Sequence, residues 1–297
     1  MSLVSPKPLT RREFLRSAVK WSGGAAFAAG AYGGFFERVH VVVRRVEIPL
    51  HRLPEAFDGF TIAQISDLHY HPEFSAGVIR KAVEIVQGLK PDVVAITGDF
   101  VTLSEFHQYD PKAAKVAGPC AELLAPLQPK MGVFAVLGNH DSYSDPGFVA
   151  EALSAKGIRV LQNEALPLER EGRRLWVAGV ADVLAKFADL DATLEHVPPT
   201  EPVMLLAHEP DFADRAARHP VDLQLSGHSH GGQIRLPGFQ PLMLPALGRK
   251  YPMGLRQVKQ TTLYTNIGLG TIVVPIRFMA TPEVTLFTLR SGKKSAT

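Results

Sequence analysis

Short apolar runs alternate along the chain with longer stretches in which apolar residues return every three or four positions. Residues 39–48, 60–66, 93–97 and 133–137 are β-branched or otherwise apolar runs of strand length. Between them, Val78, Ile79, Ala82, Val83, Val86 and Leu89 fall on one face of a helix that Pro91 stops. Residues 112–124 read as the next helix, with Cys120 buried in it, and 148–155 as a third, closed by Gly157. Strand–helix alternation of this kind implies an α/β fold with parallel strands. Residues 175–180, 203–207 and 223–226 continue the strands. After Gly231-Gly232 the texture changes, and 255–258, 263–266 and 284–289 alternate like a half-exposed antiparallel sheet. No repeat, low-complexity tract or linker follows residue 38. The expectation is one domain over 39–297, an α/β sandwich of two sheets with flanking helices.

Residues 1–38 stand apart. Arg11-Arg12 followed by Phe14-Leu15 resembles a bacterial twin-arginine export signal. The stretch behind it, 18–36, is mildly apolar and rich in Gly and Ala, a density of glycine that weakens a soluble helix. Ala26-Phe27-Ala28 is a candidate cleavage site, and the segment, at roughly 20 residues, is also long enough to stay as a membrane anchor. Both fates stay open. A twin-arginine signal places the domain in the periplasm or on the outer face of the cytoplasmic membrane, unless the segment is an anchor with the reverse orientation, and makes the twin-arginine export machinery a partner.

Composition narrows the class. Of 297 residues, 46% are apolar and 21% charged, ordinary for a chain that buries a full core. The net charge of +3, without a Lys/Arg stripe, argues against a binder of long nucleic acids. Cys120 is the single cysteine, which excludes an intrachain disulfide and a cysteine-only metal cage.

The candidate chemistry lies at the ends of the strands. Asp67-Leu68-His69, Gly98-Asp99, Gly138-Asn139-His140-Asp141, His208 and Gly227-His228-Ser229-His230 each end or follow a predicted strand. Strands ending side by side bring these groups to one edge, as a binuclear metal site. Two nearby cations need a shared anionic ligand, and Asp99, on a tight turn opened by Gly98, has that form. Imidazole and carboxylate without thiolate suit Mn, Fe or Zn. Asn139 supplies a neutral oxygen that keeps the site open to an anionic substrate. Each cluster alone is also an ordinary turn or a core histidine; the order of all five carries the signal.

The five clusters resemble the motif set of the calcineurin-like metallophosphoesterases, D-x-H, G-D, G-N-H-[D/E], a lone H and G-H-x-H, with no substitution, over residues 59–289. His230-Gly231-Gly232-Gln233, Gly268-Leu269-Gly270 and Pro275-Ile276-Arg277-Phe278 are similar to the exported or membrane-attached bacterial phosphodiesterases of the YkuE/YaeI type. The resemblance implies that Asp67, His69 and His230 hold one metal and Asn139, His208 and His228 the other. Asp99 bridges them, His140 protonates the leaving oxygen, and Asp141 orients His140 by accepting its second ring N–H.

Other residues receive plainer expectations. His71 reads as a surface loop residue, and His51, His107, His196 and His219 carry no motif. Arg277 is a candidate for a phosphate or for a structural ion pair. The apolar, proline-rich stretch 236–247 is a candidate for receiving an acyl chain, for lying on a membrane, or for covering the sheet as a lid. Relatives within the resemblance include a UDP-2,3-diacylglucosamine pyrophosphatase of lipid A synthesis, a cytoplasm-facing reaction that an export signal counts against. A non-catalytic metal-binding module and a metal-dependent nuclease are the competing classes.

Overall fold

Two sheets face one another, and the strands that build them are mostly buried on both faces. The computed structural model describes residues 10–103, 109–239, 241 and 243–292. His107, Gln240, Leu242, residues 1–9 and residues 293–297 lie outside that range.

The chain begins with α1 (Arg11–Phe35), then β1 (Val42–Leu50), β2 (Thr61–Ile65), α2 (Ala76–Leu89), β3 (Val93–Ile96) and α3 (Ala117–Leu124). It continues through β4 (Val133–Ala135), α4 (Asn139–Ser142), α5 (Pro146–Ser154), β5 (Ile158–Val160), β6 (Glu164–Arg170) and β7 (Arg173–Gly179). The last part contains α6 (Leu190–Leu194), β8 (Val203–Leu206), α7 (Ala213–Ala216), β9 (Leu223–Ser226), β10 (Gly254–Val258), β11 (Thr261–Thr265) and β12 (Glu283–Ser291). The first sheet has the order β1-β12-β2-β3-β4-β5, the second β10-β11-β9-β8-β7-β6.

In β3, Val94 and Ile96 pack outward under α2, α3 and α5, while Val93 and Ala95 pack inward against the second sheet. Two-sided burial explains why the parallel strands read as unbroken apolar runs. A further core, with Trp176, Leu190 and Val221, fills the outer face of the second sheet. The expected face of α2 is buried from Val78 to Val86, and the helix ends where Lys90 turns left-handed ahead of Pro91. The predicted 112–124 helix begins as a 3-10 turn, Ala113–Val116, and becomes α-helical at Ala117.

The C-terminal strands differ from expectation. β10 and β11 pair antiparallel, but β11 then pairs parallel with β9, and β12 lies in the other sheet, parallel to β1 and antiparallel to β2. β11 is buried throughout and β12 nearly so. Thr261 and Thr285 look like solvent-facing positions in the sequence yet are satisfied inside: Thr261 Oγ1 donates to Val221 O (2.7 Å), and Asn266 Nδ2 donates to Thr285 Oγ1 (3.1 Å).

The Gly-rich N-terminal stretch is helical. Thr10 accepts from Glu13 N–H while the Glu13 carboxylate accepts from Thr10 N–H, a reciprocal cap that offsets part of the glycine penalty. The last turn of α1 docks on the domain. Gly33 O accepts from Arg277 N–H (3.2 Å), and a Cβ on Gly33 would sit 2.5 Å from Arg277 O. Just beyond, Glu37 is buried and accepts from Met279 N (3.0 Å), Ala280 N (2.8 Å) and Thr281 Oγ1 (3.1 Å). Glu37→Ala leaves these donors without their acceptor and is expected to lower unfolding free energy by about 1–3 kcal/mol. A urea titration showing no shift for the variant would contradict the clasp.

Candidate metal centre

The ladders of both sheets run on past their strands and end in turns that aim side chains at one place. Asp67 N–H donates to Gly98 O and His69 N–H to Asp99 O, so the loops after β2 and β3 travel together. Gly227 N–H donates to His208 O, which does the same for the loops after β8 and β9. The turns are sharp. Asp67, His69, Asp99, His228 and His230 all have φ between 41° and 69°, a left-handed backbone that non-glycine residues seldom adopt. Strain of this kind persists only where surrounding contacts hold it, and it concentrates at functional sites.

The sheets meet at Gly227. A Cβ there would overlap Ser66 Oγ and the Asp67 carboxylate. The approach lets His228 N–H donate to Asp67 Oδ1 (2.8 Å), across the gap between sheets. Below it, buried Gln64 donates to Thr97 Oγ1 and to Ser226 O, both at 2.9 Å.

All seven expected ligands converge here, buried. Ligand atoms of Asp67, His69 and His230 lie within 4.8 Å of one another, and so do those of Asp99, His208 and His228. Asp99 also groups with His69 and His140, so its carboxylate stands between the sets. Asp99 Oδ2 is 3.4 Å from His69 Nε2 and 3.2 Å from His208 Nε2. The latter approach lacks hydrogen-bond geometry, and His208 Nε2, Asp67 Oδ2 and Asn139 Oδ1 are buried without a hydrogen-bond partner. Converging lone pairs left unsatisfied in the interior are costly unless a cation is bound among them. Two carboxylates, four imidazoles and an amide oxygen form a donor set that fits a pair of divalent ions.

The imidazoles are oriented from behind. His208 Nδ1 donates to Thr97 O (2.6 Å), which leaves Nε2 facing Asp99, and His228 Nε2 donates to Ala246 O (2.8 Å), which frees Nδ1. His69 Nε2 and His230 Nε2 face each other at 3.0 Å. Burial pushes His69 down to about 3 and holds His228 and His230 below the ordinary histidine range, keeping these rings neutral. Burial raises the Asp67 carboxyl to about 7. At Asp99 burial acts in the same sense, but His208 and His140 outweigh it and hold the carboxyl well below its usual value. At His208 burial acts downward, but the Asp99 carboxylate outweighs it and raises the ring well above the ordinary range.

The role expected for Asp141 is corrected. Its carboxylate accepts four backbone N–H groups and not the His140 ring: Asp99 and Gly138 on Oδ2 (both 2.9 Å), Phe100 (2.9 Å) and Val101 (3.1 Å) on Oδ1. It therefore holds the Asp99 loop against the start of α4. The ring of His140 is set by Leu103, whose N–H donates to Nδ1 (3.0 Å), so the neutral ring carries its proton on Nε2. A backbone donor leaves no mark in residue type, and the sequence offers no signal for it.

Arg277 does not reach a substrate. It is fully buried and donates to Gly270 O, Ile267 O and Ala280 O, with Nη2 3.4 Å from His230 Nδ1. His71 lies on the surface, stacked on Phe74, as expected. His51 and His196 are exposed, and His219 faces Asp191 at 3.7 Å.

The calcineurin-like phosphoesterase family profile matches residues 60–232. The chain is similar to the uncharacterized metallophosphoesterase YkuE of Bacillus subtilis, 33% identical over 290 residues, covering 96% of this chain and 99% of YkuE. It is similar to phosphodiesterase YaeI of Escherichia coli, 28% identical over 293 residues, covering 95% and 99%. Among solved structures it is similar to the 5'-nucleotidase precursor from Thermus thermophilus, with a TM-score of 0.47 and 16% identity, covering 77% of this chain and 54% of that one.

Asp141→Ala strands four buried N–H groups and is expected to destabilise the protein by about 3 kcal/mol or more. Urea unfolding in the presence of a chelator reads this apart from metal binding; a loss under about 1 kcal/mol means the loop is held by something else.

Proposed function

This chain belongs to the calcineurin-like phosphoesterase family and is a metal-dependent phosphoric ester hydrolase, and we propose that it cleaves phosphodiesters through a pair of divalent ions. Asp67, His69 and His230 would hold one ion, Asn139, His208 and His228 would hold the other, and Asp99 would serve both. Mn, Fe and Zn fit a set of imidazole, carboxylate and amide donors. Bound there, the ions supply neutralisation of the phosphoryl charge and a water-derived nucleophile at neutral pH. The observation that carries the reading is the Asp99 carboxylate standing between two buried ligand groups, in which Asp67 Oδ2, Asn139 Oδ1 and His208 Nε2 have no hydrogen-bond partner.

His140 lines the cavity beside this centre and supplies the proton. With Nδ1 occupied by Leu103 N–H, the mobile proton is on Nε2. As the P–O bond to the leaving group breaks, that proton passes to the departing oxygen, and the other ester stays on phosphorus.

His140→Ala is expected to keep two equivalents of metal while turnover of bis(p-nitrophenyl) phosphate falls by about 10²–10⁴-fold. Asp99→Ala is expected to lose both ions; an Asp99→Ala protein that still binds two equivalents by metal analysis sinks the shared-ligand assignment.

The proposed place of action is the periplasm or the outer face of the cytoplasmic membrane. Supporting it are Arg11 and Arg12 in the first turn of α1, ahead of Phe14 and Leu15. Among the described residues no helix is long and apolar enough to cross a membrane. Replacing both arginines by lysine is expected to hold the protein in the cytoplasmic fraction, and undiminished export would remove the signal reading.

A further inference from the structure

The cavity beside the metal centre is about 910 Å³, far more room than one phosphate group needs and within the range of about 300–1,000 Å³ that encloses a small organic molecule. Its lining is of two chemical kinds. Asp99, Asn139, His140, His228 and His230 supply polar, ligand-type groups. Ile234, Pro241, Met243, Ile272, Val273 and Val274 supply apolar surface. Among the described lining residues Arg249 is the only lysine or arginine. Such a division suits a ligand with an anionic head and a hydrocarbon tail.

The apolar lip is held in place, and its polar groups are turned inward. Gln233, three positions after His230, donates to Ile272 O (2.9 Å) and Val274 O (3.1 Å) and accepts from Ile272 N–H (2.8 Å). Every hydrogen-bonding group of that amide is thus spent on the lip, and the lip is tied to the turn that carries a metal-ligand histidine. Val274 N–H donates to Ile272 O (2.6 Å) across Val273, whose φ is +61°. This is a γ-turn of the disfavoured hand, and a β-branched residue is the least suited to it. The turn holds the valine side chain 69% exposed at the cavity, and Met243, which also lines it, is 75% exposed. Large apolar side chains left in water around a reaction centre mark a ligand contact, and backbone strain at such a place points the same way.

The geometry points to a hydrocarbon subsite: the wall formed by Val273, Val274, Ile234 and Met243 takes the alkyl or acyl chain of an amphiphilic phosphodiester whose phosphate lies beside Asp99. The inference rests on the phosphodiesterase reading and names its substrate class. The chain stays on the ester that is not cleaved; water adds to phosphorus and the opposite ester leaves.

The test is a series of alkyl p-nitrophenyl phosphates, methyl to octyl, with metal-loaded protein below the micelle threshold. Each methylene entering the subsite is expected to raise kcat/KM by up to about fourfold, until the chain outgrows the wall. Val273→Asp and Met243→Asp are expected to lower the octyl-to-methyl ratio of kcat/KM at least tenfold. Val273→Gly guards against misfolding, because glycine accepts the positive φ. It should raise the melting temperature and still lower the ratio. A ratio near one in the parent protein, or one unchanged in all three variants, overturns the subsite. So does a flat series combined with vesicle binding that the same variants lose, which assigns the lip to a bilayer surface. Calorimetry with octylphosphonate and methylphosphonate, which have no ester to cleave, reads the wall separately. If no ester is turned over, the phosphodiesterase reading fails; tighter binding of octylphosphonate, lost in the variants, still supports the subsite, and equal binding overturns it.

Discussion

The centre depends on two sheets approaching more closely at one end than side chains ordinarily permit. Gly227 lets the loop after β9 rest on Ser66 and Asp67 of the other sheet, and the Asp67 carboxylate answers by accepting His228 N–H. One side chain thus bridges the layers and is also positioned as a ligand. Gln64, buried between the sheets, fixes their separation just below. Relaxing this approach would move Asp67, His69 and Asp99 as one group away from His208, His228 and His230, since each set is carried by the ladders of its own sheet. Sub-ångström changes in layer packing are therefore felt directly in the distances between ligand sets.

A concentration of charge and strain is held by ordinary backbone groups. Four N–H donors on Asp141, the Thr97 carbonyl behind His208, the Ala246 carbonyl behind His228 and the Leu103 N–H on His140 orient the side chains that meet at Asp99. Left-handed φ at Asp67, His69, Asp99, His228 and His230 is sustained by the contacts around the centre. Arg277 belongs to the same support. Its guanidinium is consumed by carbonyls of the loops behind His230, and Glu37 from the N-terminal segment holds the following residues.

Much of this was legible in the sequence because ligand chemistry is written in residue type and strand ends in hydrophobic runs. The short parallel strands β3, β8 and β9, buried on both faces, lie close to where their apolar runs place them. Three kinds of information were not legible. Buried Thr261 and Thr285 imitate exposed positions because their hydroxyls find partners inside. The edge strand β6, with Glu164, Pro167, Glu169 and Arg170, has too little apolar pattern to be read as a strand. The acceptors of Asp141 and the donor to His140 are main-chain groups, which every residue possesses, so the roles they impose are visible only in three dimensions.

The position of β12 bears on how the protein is made. The last strand lies between β1 and β2 and pairs with both. Before those residues join, β1 has no neighbour in the sheet and β2 has an open edge beside the loop that carries Asp67. The second layer is built from pairings nearer in sequence, whereas the first layer closes only through contacts of long sequence separation. The strand that leads into Asp67 is therefore held on both sides only once β12 is in place.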